Sequence, residues 1–286
     1  MSTQPPRRPV GVEELKRAWQ ALNAGEFRTG PGAGKGPRGP VAVSVAVAKA
    51  DWSPADGEHT IAVVGSAGSV GASTVALATG LAAADRVRVI ECCSVTASGL
   101  AAASTAELGL HPTDWRQGKR DHVLLERASE LLAGVDKVPR PTEAQNETQL
   151  TILDAGWEVG QLLATDCWLA EAVRVADQIV LVTTATVPGM RRAGVALDLL
   201  ADVWQPERIA LAVRGPRRKK WPRGLEHVGG AVVRRALGAD RCVEIPEDRE
   251  LAVTGLDSRP VPAPLISAAR HLLELAQLPA DISENA

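Results

Sequence analysis

From Thr60 onward, short apolar segments alternate with longer segments of helical periodicity, and this alternation constrains the fold more than any other feature. Such apolar segments are typical of strands buried on both faces of a sheet. The predicted strands are residues 60–64, 87–91, 150–154, 178–183, 209–213 and 242–245. The predicted helices are residues 73–84, 119–134, 168–176, 189–203, 226–237 and 264–277. The alternation predicts a three-layer α/β domain, with helices on both faces of a mostly parallel sheet.

The loop after the first predicted strand, GSAGSVGAST at residues 65–74, has the composition of a phosphate-binding loop. Its glycines let the backbone approach a phosphate, and the following helix directs N–H groups toward it. Ser73 stands at the position of the hydroxyl that holds Mg²⁺ in such loops, whereas Ala72 replaces the usual lysine. The candidate nucleotide-binding residues of this loop are Gly68, Ser69, Val70, Gly71, Ala72, Ser73 and Thr74.

The order of motifs resembles that of the ParA/MinD-type P-loop ATPases, whose loop reads K-G-G-x-G-K-T-T. Residues 67–74 fit that frame, with Ala67 at the family's extra signature lysine and Ala72 at the general one. The family's second strand ends in D-x-D, and here Glu91 and Cys93 stand at the two acidic positions. The second carboxylate, which helps to place the attacking water in the family, is therefore absent.

The resemblance continues along the chain. LTILDAGW, at residues 150–157, looks like the family's Walker B strand and retains the aspartate as Asp154. Residues 179–193 resemble the next strand, loop and helix, and residues 245–261 resemble the late segment that packs near the base. The likeness extends over about residues 59–277 and implies a fold of the P-loop NTPase type.

The resemblance implies a site for ATP or ADP with Mg²⁺, in which Ser73 and Asp154 serve the metal and Glu91 borders the nucleotide. A charge-assisted contact between lysine and phosphate is worth about 1.5–3 kcal/mol. Its loss weakens binding roughly tenfold to a hundredfold, and hydrolysis suffers more. We therefore expect a pseudo-ATPase with weak nucleotide binding, acting as a regulator or scaffold in DNA partition or transfer, or in positioning a cellular machine.

A second interpretation is a dinucleotide-binding Rossmann protein that takes NAD(P). Ser66, Gly68 and Gly71 differ by one residue from the G-x-G-x-x-G fingerprint. Glu91 ends the next strand twenty residues after Gly71, where such folds place the acid that binds the ribose. This interpretation explains the missing lysine, but it leaves Asp154 without a role. A third interpretation is a glycine-rich turn that binds no ligand.

Residues 214–224, RGPRRKKWPRG, form a run of positive charge that no acidic residue interrupts. The candidate nucleic-acid or anion-binding residues are Arg217, Arg218, Lys219, Lys220 and Arg223. ParA-like proteins bind DNA non-specifically through basic surface residues, so the resemblance implies DNA as a partner, and Trp221 offers a ring for base stacking. One alternative is that this segment binds an anionic membrane surface, and another is that it is only a solvated loop. In a third alternative, the protein is a weakly active ATPase in which an arginine replaces the lysine charge. That arginine comes either from this segment or from Arg191 or Arg192.

Residues outside the resemblance predict an N-terminal extension and a short tail. The predicted divisions are an extension at 1–58 with a helix at 11–27, a Gly/Pro linker at 28–40 and a strand-like segment at 41–50, a P-loop domain at 59–279, and a tail at 280–286. The amphipathic helix either docks on the protein's own core or binds a protein partner.

Composition adds three expectations, and the resemblance adds a fourth. The formal net charge of −2 gives no argument of its own for a nucleic-acid or membrane partner. No signal peptide and no run of eighteen apolar residues is visible, which predicts a cytoplasmic protein without a transmembrane segment. The four cysteines form no C-x-x-C pair, so we expect free thiols. Family members dimerise around nucleotide; because both lysines are missing here, we do not expect a nucleotide-driven dimer, and a constitutive homodimer stays open.

Overall fold

A computed structural model describes residues 52–83, 86–144 and 148–278 of the chain. The predicted helix at 11–27, the linker at 28–40, the strand-like segment at 41–50 and the tail at 280–286 lie outside the described residues.

The described residues contain a nine-stranded sheet. Its strands are β1 His59–Gly65, β2 Val87–Glu91, β3 Ala106–Leu110, β4 Trp115–Arg120, β5 Val123–Ala128, β6 Leu150–Ala155, β7 Gln178–Thr184, β8 Ile209–Gly215 and β9 Cys242–Pro246. They lie in the order β3-β4-β5-β2-β6-β1-β7-β8-β9. In this sheet order, every neighbouring pair from β5 to the β9 edge is parallel. The pairs β3–β4 and β4–β5 are antiparallel. The sequence expectation of a mostly parallel sheet is confirmed.

Helices cover the sheet on both faces. They are α1 Ala72–Ala82, α2 Val159–Ala164, α3 Trp168–Val175, α4 Val187–Ala201, α5 Leu225–Val228, α6 Gly230–Gly238, α7 Arg249–Thr254 and α8 Ala263–Leu275. The alternation along β1 separates two cores: Ile61 and Val63 pack with residues of α1 and α8, whereas Ala62 and Val64 pack with residues of α2 to α6. None of the helices in the described ranges combines the length and apolar character that a bilayer crossing requires.

The prediction of a helix at 119–134 is wrong. Residues 115–128 instead form the β4–β5 hairpin, which turns at Asp121 with a left-handed φ of 51°. β5 pairs in parallel with the edge of β2 that β6 does not occupy. This pairing between distant segments overrides the local helical propensity of residues 119–134. β3 was not predicted either, and its side chains are mostly exposed at the sheet edge.

A buried polar network crosses β2, β5 and β6. The Arg88 guanidinium lies 3.0 Å from Glu58 and 3.7 Å from Glu126, and each of these three side chains is at most 2% exposed. Arg88 also donates to Thr151 Oγ1 at 2.6 Å and to the Thr142 carbonyl at 2.8 Å. One cation therefore holds two buried carboxylates and fixes the register of three strands.

Candidate functional site

The loop between β1 and α1 presents unpaired backbone donors. Gly71 precedes the helix with a φ of 100°, a left-handed conformation that glycine adopts without strain. Among the described residues, no protein group accepts a hydrogen bond from the backbone N–H groups of residues 67–74. No side chain caps the start of α1. The loop thus retains the free donors and the positive helix end that bind phosphate.

Asp154 ends the strand beside β1 and lies in register with Val63. Its side chain is buried, and neither carboxylate oxygen has a hydrogen-bond partner among the residues that the structure describes. Burial, assisted by the charge of Glu91, raises the pKa of Asp154 to about 7. The nearby Ser73 hydroxyl acts in the opposite direction, although it does not reach a hydrogen bond of acceptable geometry. An unsatisfied buried carboxylate is costly unless a cation or a donor compensates it.

Glu91 is tied to the segment that follows β2. Its carboxylate accepts hydrogen bonds from Ser98 Oγ at 2.6 Å, from the Gly99 N–H at 2.6 Å and from the Leu100 N–H at 2.9 Å. Burial raises the pKa of Glu91, and these bonds together with the Arg127 charge only partly oppose it. The sequence named Glu91 as a nucleotide contact, but the structure places its oxygens on the protein's own loop.

The segment held by Glu91 packs on the candidate metal residue. A Cβ atom at Gly99 would lie 2.8 Å from both Cβ and Oγ of Ser73, so only glycine fits there without displacing the loop. Ser73 and Asp154 nevertheless both line the cleft described next. Residues 98–100 were not among the site residues predicted from the sequence. The one sequence feature that could have indicated them is the glycine at position 99.

These elements surround a cleft of about 610 Å³ at the carboxyl edge of the sheet. Its walls come from the phosphate-loop segment 65–74, the turn after β6, the 96–99 segment and residues of α7. Trp157 borders the cleft and donates from its indole N–H to the Cys92 carbonyl at 2.6 Å. A smaller adjoining pocket lies between the loop and residues 245–252, the segment expected to pack near a base.

Arg214, near the end of β8, reaches across to this loop. Its Nη2 donates to the Ser69 carbonyl at 3.3 Å, and its Cδ would lie 3.4 Å from a Cβ atom at Gly71. The side chain lines both the cleft and the adjoining pocket. Of the residues that line the cleft, Arg214 alone carries a full positive charge.

Cys93 occupies the second acidic position of the family pattern. Its side chain is buried against Gly156, where an added Cβ atom would lie 2.7 Å from that of Cys93. Burial raises the pKa of the thiol, with contributions from Glu91 and Asp154. The group therefore stays neutral at physiological pH and is a poor substitute for a carboxylate that orients water.

The basic segment is less uniform than its sequence indicates. Arg218 is paired with Glu226 at 2.8 Å, which raises the Arg218 pKa, and Trp221 packs against the core while its indole donates to Pro216. Within residues 217–223, the exposed cations that form no ion pair with a described residue are Arg217, Lys219, Lys220 and Arg223. Arg191 and Arg192 are exposed on α4 and do not line the cleft.

Strand order separates the two interpretations of the loop. In the Rossmann arrangement the strand after the glycine loop pairs with the first strand. Here β6 lies between β1 and β2, and it brings Asp154 rather than Glu91 beside the loop strand. Glu91 is also buried, and its carboxylate already accepts hydrogen bonds from three protein donors.

Comparison with known proteins gives a likeness of fold. No family model and no curated protein matches the chain. A chain of the MinC:MinD cell division protein complex from Aquifex aeolicus is 18% identical, with 76% of this chain and 96% of that chain covered and a TM-score of 0.51. MinD with Mg-ADP from Pyrococcus horikoshii OT3 is 18% identical over 77% and 97% of the two chains, with a TM-score of 0.49. A ParA family ATPase from Chlorobium tepidum TLS is 16% identical over 77% and 93%, with a TM-score of 0.44. The first likeness supports the three-layer fold of the P-loop NTPase type.

Proposed function

We propose that the cleft binds ATP or ADP with Mg²⁺ weakly, and that the protein acts as a regulator or scaffold rather than as an ATPase. The observation that carries this proposal is that one cleft contains both unpartnered carboxylate oxygens and unpartnered backbone N–H donors. Asp154 has two buried oxygens without partners, and the loop beside it has free N–H donors. A metal ion compensates the carboxylate and a phosphate compensates the donors.

In this proposal the loop residues 68–74 hold the phosphates, and Ser73 and Asp154 face the metal. Mg²⁺ neutralises phosphate charge and usually keeps several waters, with one or two protein ligands. Ser73 and Asp154, which both line the cleft, match that small number of protein ligands. In this proposal the pocket beside residues 245–252 takes the base.

The residues of the cleft do not favour hydrolysis of a bound nucleotide. Ala72 provides no charge for the transferring phosphate, and the neutral Cys93 thiol replaces the second carboxylate. Phosphoryl transfer depends on positioning and on charge stabilisation in the transition state. The residues present therefore support binding better than catalysis.

A protein partner fits this role. A chain with a similar fold belongs to the MinC:MinD complex, which supports partner binding as a use of this architecture. The segment at 11–27, predicted from the sequence to be helical, is our candidate contact, and a homodimer is the alternative assembly. The process served, partition or transfer of DNA or positioning of a cellular machine, follows from the sequence resemblance.

Thermal unfolding with Mg-ADP, Mg-ATP, the same nucleotides with EDTA, and NADPH tests the nucleotide proposal. A ligand at a hundredfold excess over its Kd adds about 2.7 kcal/mol of stability. We expect Mg-ADP and Mg-ATP to raise Tm, Ser73→Ala to remove the Mg²⁺-dependent part, and the exposed Ser258→Ala to match the wild type. No shift with any adenine nucleotide contradicts the proposal, and a shift with NADPH alone favours the dinucleotide alternative.

A second proposed activity is non-specific DNA binding by the exposed cations of residues 217–223. Four unpaired, exposed cations in seven residues support it, since phosphate contacts release counterions. The triple variant Arg217→Glu, Lys219→Glu and Lys220→Glu is expected to abolish salt-dependent retention of a DNA duplex. The control Arg234→Glu with Arg235→Glu reverses two exposed charges on α6, outside residues 217–223. Equal retention by both variants contradicts this proposal.

A further inference from the structure

The phosphate loop lacks the positive charge that its architecture normally includes. Ala67 and Ala72 stand at the two positions where the family has lysines, and the 65–74 segment contains no basic residue. Backbone donors alone leave a polyanionic ligand largely uncompensated, because each phosphate carries full negative charge. A cation from another element is therefore the feature to look for at this cleft.

Arg214 reaches the loop from two strands away. β7 separates β8 from β1 in the sheet, yet the guanidinium lies against the backbone at Gly71 and hydrogen-bonds to Ser69. The small Gly71 is what permits this approach, because the nearest Arg214 atoms already lie 3.4–3.5 Å from where a Cβ atom would stand. The cation thus occupies the rim of the phosphate cradle.

No carboxylate of the described residues neutralises the charge of Arg214. None of these carboxylates lies within ion-pair distance of it, and its Nε is buried without a hydrogen-bond partner. A partly buried guanidinium is normally paired, since an unpaired one has lost hydration without compensation. Its five donors and planar shape match phosphate oxygens.

We propose that Arg214 is the phosphate-binding cation of this site, supplied from β8 in place of the absent loop lysine. For its natural ligand, the inference rests on the proposed nucleotide site. It assigns the positive charge that contacts phosphate to Arg214, and it applies to any small polyphosphate. The exposed residues Arg191 and Arg192 and the cations at 217–223 do not line the cleft. They are excluded from this role by position.

Isothermal titration with Mg-ADP and with inorganic pyrophosphate tests the proposal on the full chain. The variants are Arg214→Met, Arg214→Lys, Ala72→Lys, the double variant Arg214→Met with Ala72→Lys, and Arg192→Met as a matched control. We expect Arg214→Met to weaken both ligands at least tenfold, and Arg214→Lys to retain most of the affinity. The double variant should recover to within about threefold of the wild type, because Lys at position 72 restores the charge.

The outcomes separate this inference from the proposed function. If the wild type binds Mg-ADP and Arg214→Met, folded by circular dichroism, binds it equally well, the inference is overturned and the nucleotide proposal stands. Arg214-dependent binding of pyrophosphate without nucleotide binding supports the inference and removes the nucleotide proposal. A wild type that binds neither ligand overturns both. A loss in Arg214→Met that Lys at position 72 does not restore shows a structural role and also overturns the inference.

Discussion

Glu91 and Asp154 stand side by side in register on β2 and β6, and each is only 1% exposed. Their surroundings differ, because Glu91 accepts three hydrogen bonds from residues 98–100 while Asp154 accepts none. Two buried carboxylates at neighbouring positions oppose each other's ionisation. Asp154 is therefore the member of the pair that is left for a cation, and it limits the stability of the ligand-free protein.

Asp154→Asn should stabilise the ligand-free protein, and more strongly at pH 8 than at pH 5. The folded pKa of about 7 lies above the ordinary value of 3.8, so between these values only the unfolded state releases the proton. The contribution of Asp154 to wild-type stability therefore falls as pH rises from about 4 to about 7 and then levels off. One pKa unit corresponds to about 1.4 kcal/mol, so the gain at pH 8 is expected to reach a few kcal/mol.

Urea unfolding of the wild type, Asp154→Asn and Asp198→Asn at pH 5 and pH 8 measures this effect. Asp198 is exposed on α4 and serves as the matched control. The stabilised Asp154→Asn variant should lose the Mg²⁺-dependent part of nucleotide binding. A variant that is less stable than the wild type at pH 8 contradicts the prediction.

Gly99→Ala should destabilise the protein by about 1–3 kcal/mol, through overpacking against Ser73. Because the added methyl group meets both Cβ and Oγ of Ser73, the cost should fall by more than half in a Ser73→Gly background. Gly68→Ala is the control within the same cleft, since nothing lies within 4 Å of its added Cβ atom. Chemical denaturation of the four-member cycle gives the coupling, and additive effects contradict the predicted contact.

Arg88→Met should cost about 3–5 kcal/mol, because it leaves the buried carboxylates of Glu58 and Glu126 without their cation. Replacing both acids with glutamine in the Arg88→Met background should recover part of the loss. Arg116→Met changes an exposed arginine on β4 and controls for the substitution itself. Equal losses for the two arginine variants would show that the network adds no stability.

Wild-type protein should release no phosphate from Mg-ATP above background. Ala72→Lys should strengthen nucleotide binding without producing turnover, because Cys93 remains a neutral thiol at the second acidic position. A coupled phosphate assay with purified wild type, Ala72→Lys and Asp154→Asn measures this. Wild-type release that disappears in Asp154→Asn would identify an active ATPase and exclude the pseudo-ATPase proposal.

Periodicity predicted the central strands well, and it predicted poorly at the sheet edge. The segments at 60–64 and 150–154 are apolar enough to require burial on both faces, so their pairing follows from composition. The segment at 119–134 has no such pattern, and its strands exist because β2 offers an open edge. Local sequence carries no information about which edge is open.

The sequence by itself determined the α/β layering, the glycine loop at the end of the first strand and the absence of lysine from that loop. These properties depend on residue type and on neighbours along the chain. Only the tertiary structure decided that Asp154 lies beside the loop strand, that Glu91 is occupied by residues 98–100, and that Arg214 reaches Gly71. Each of these relationships joins residues that are far apart in the chain or depends on strand order, and it is the packing of the whole sheet that sets such distances.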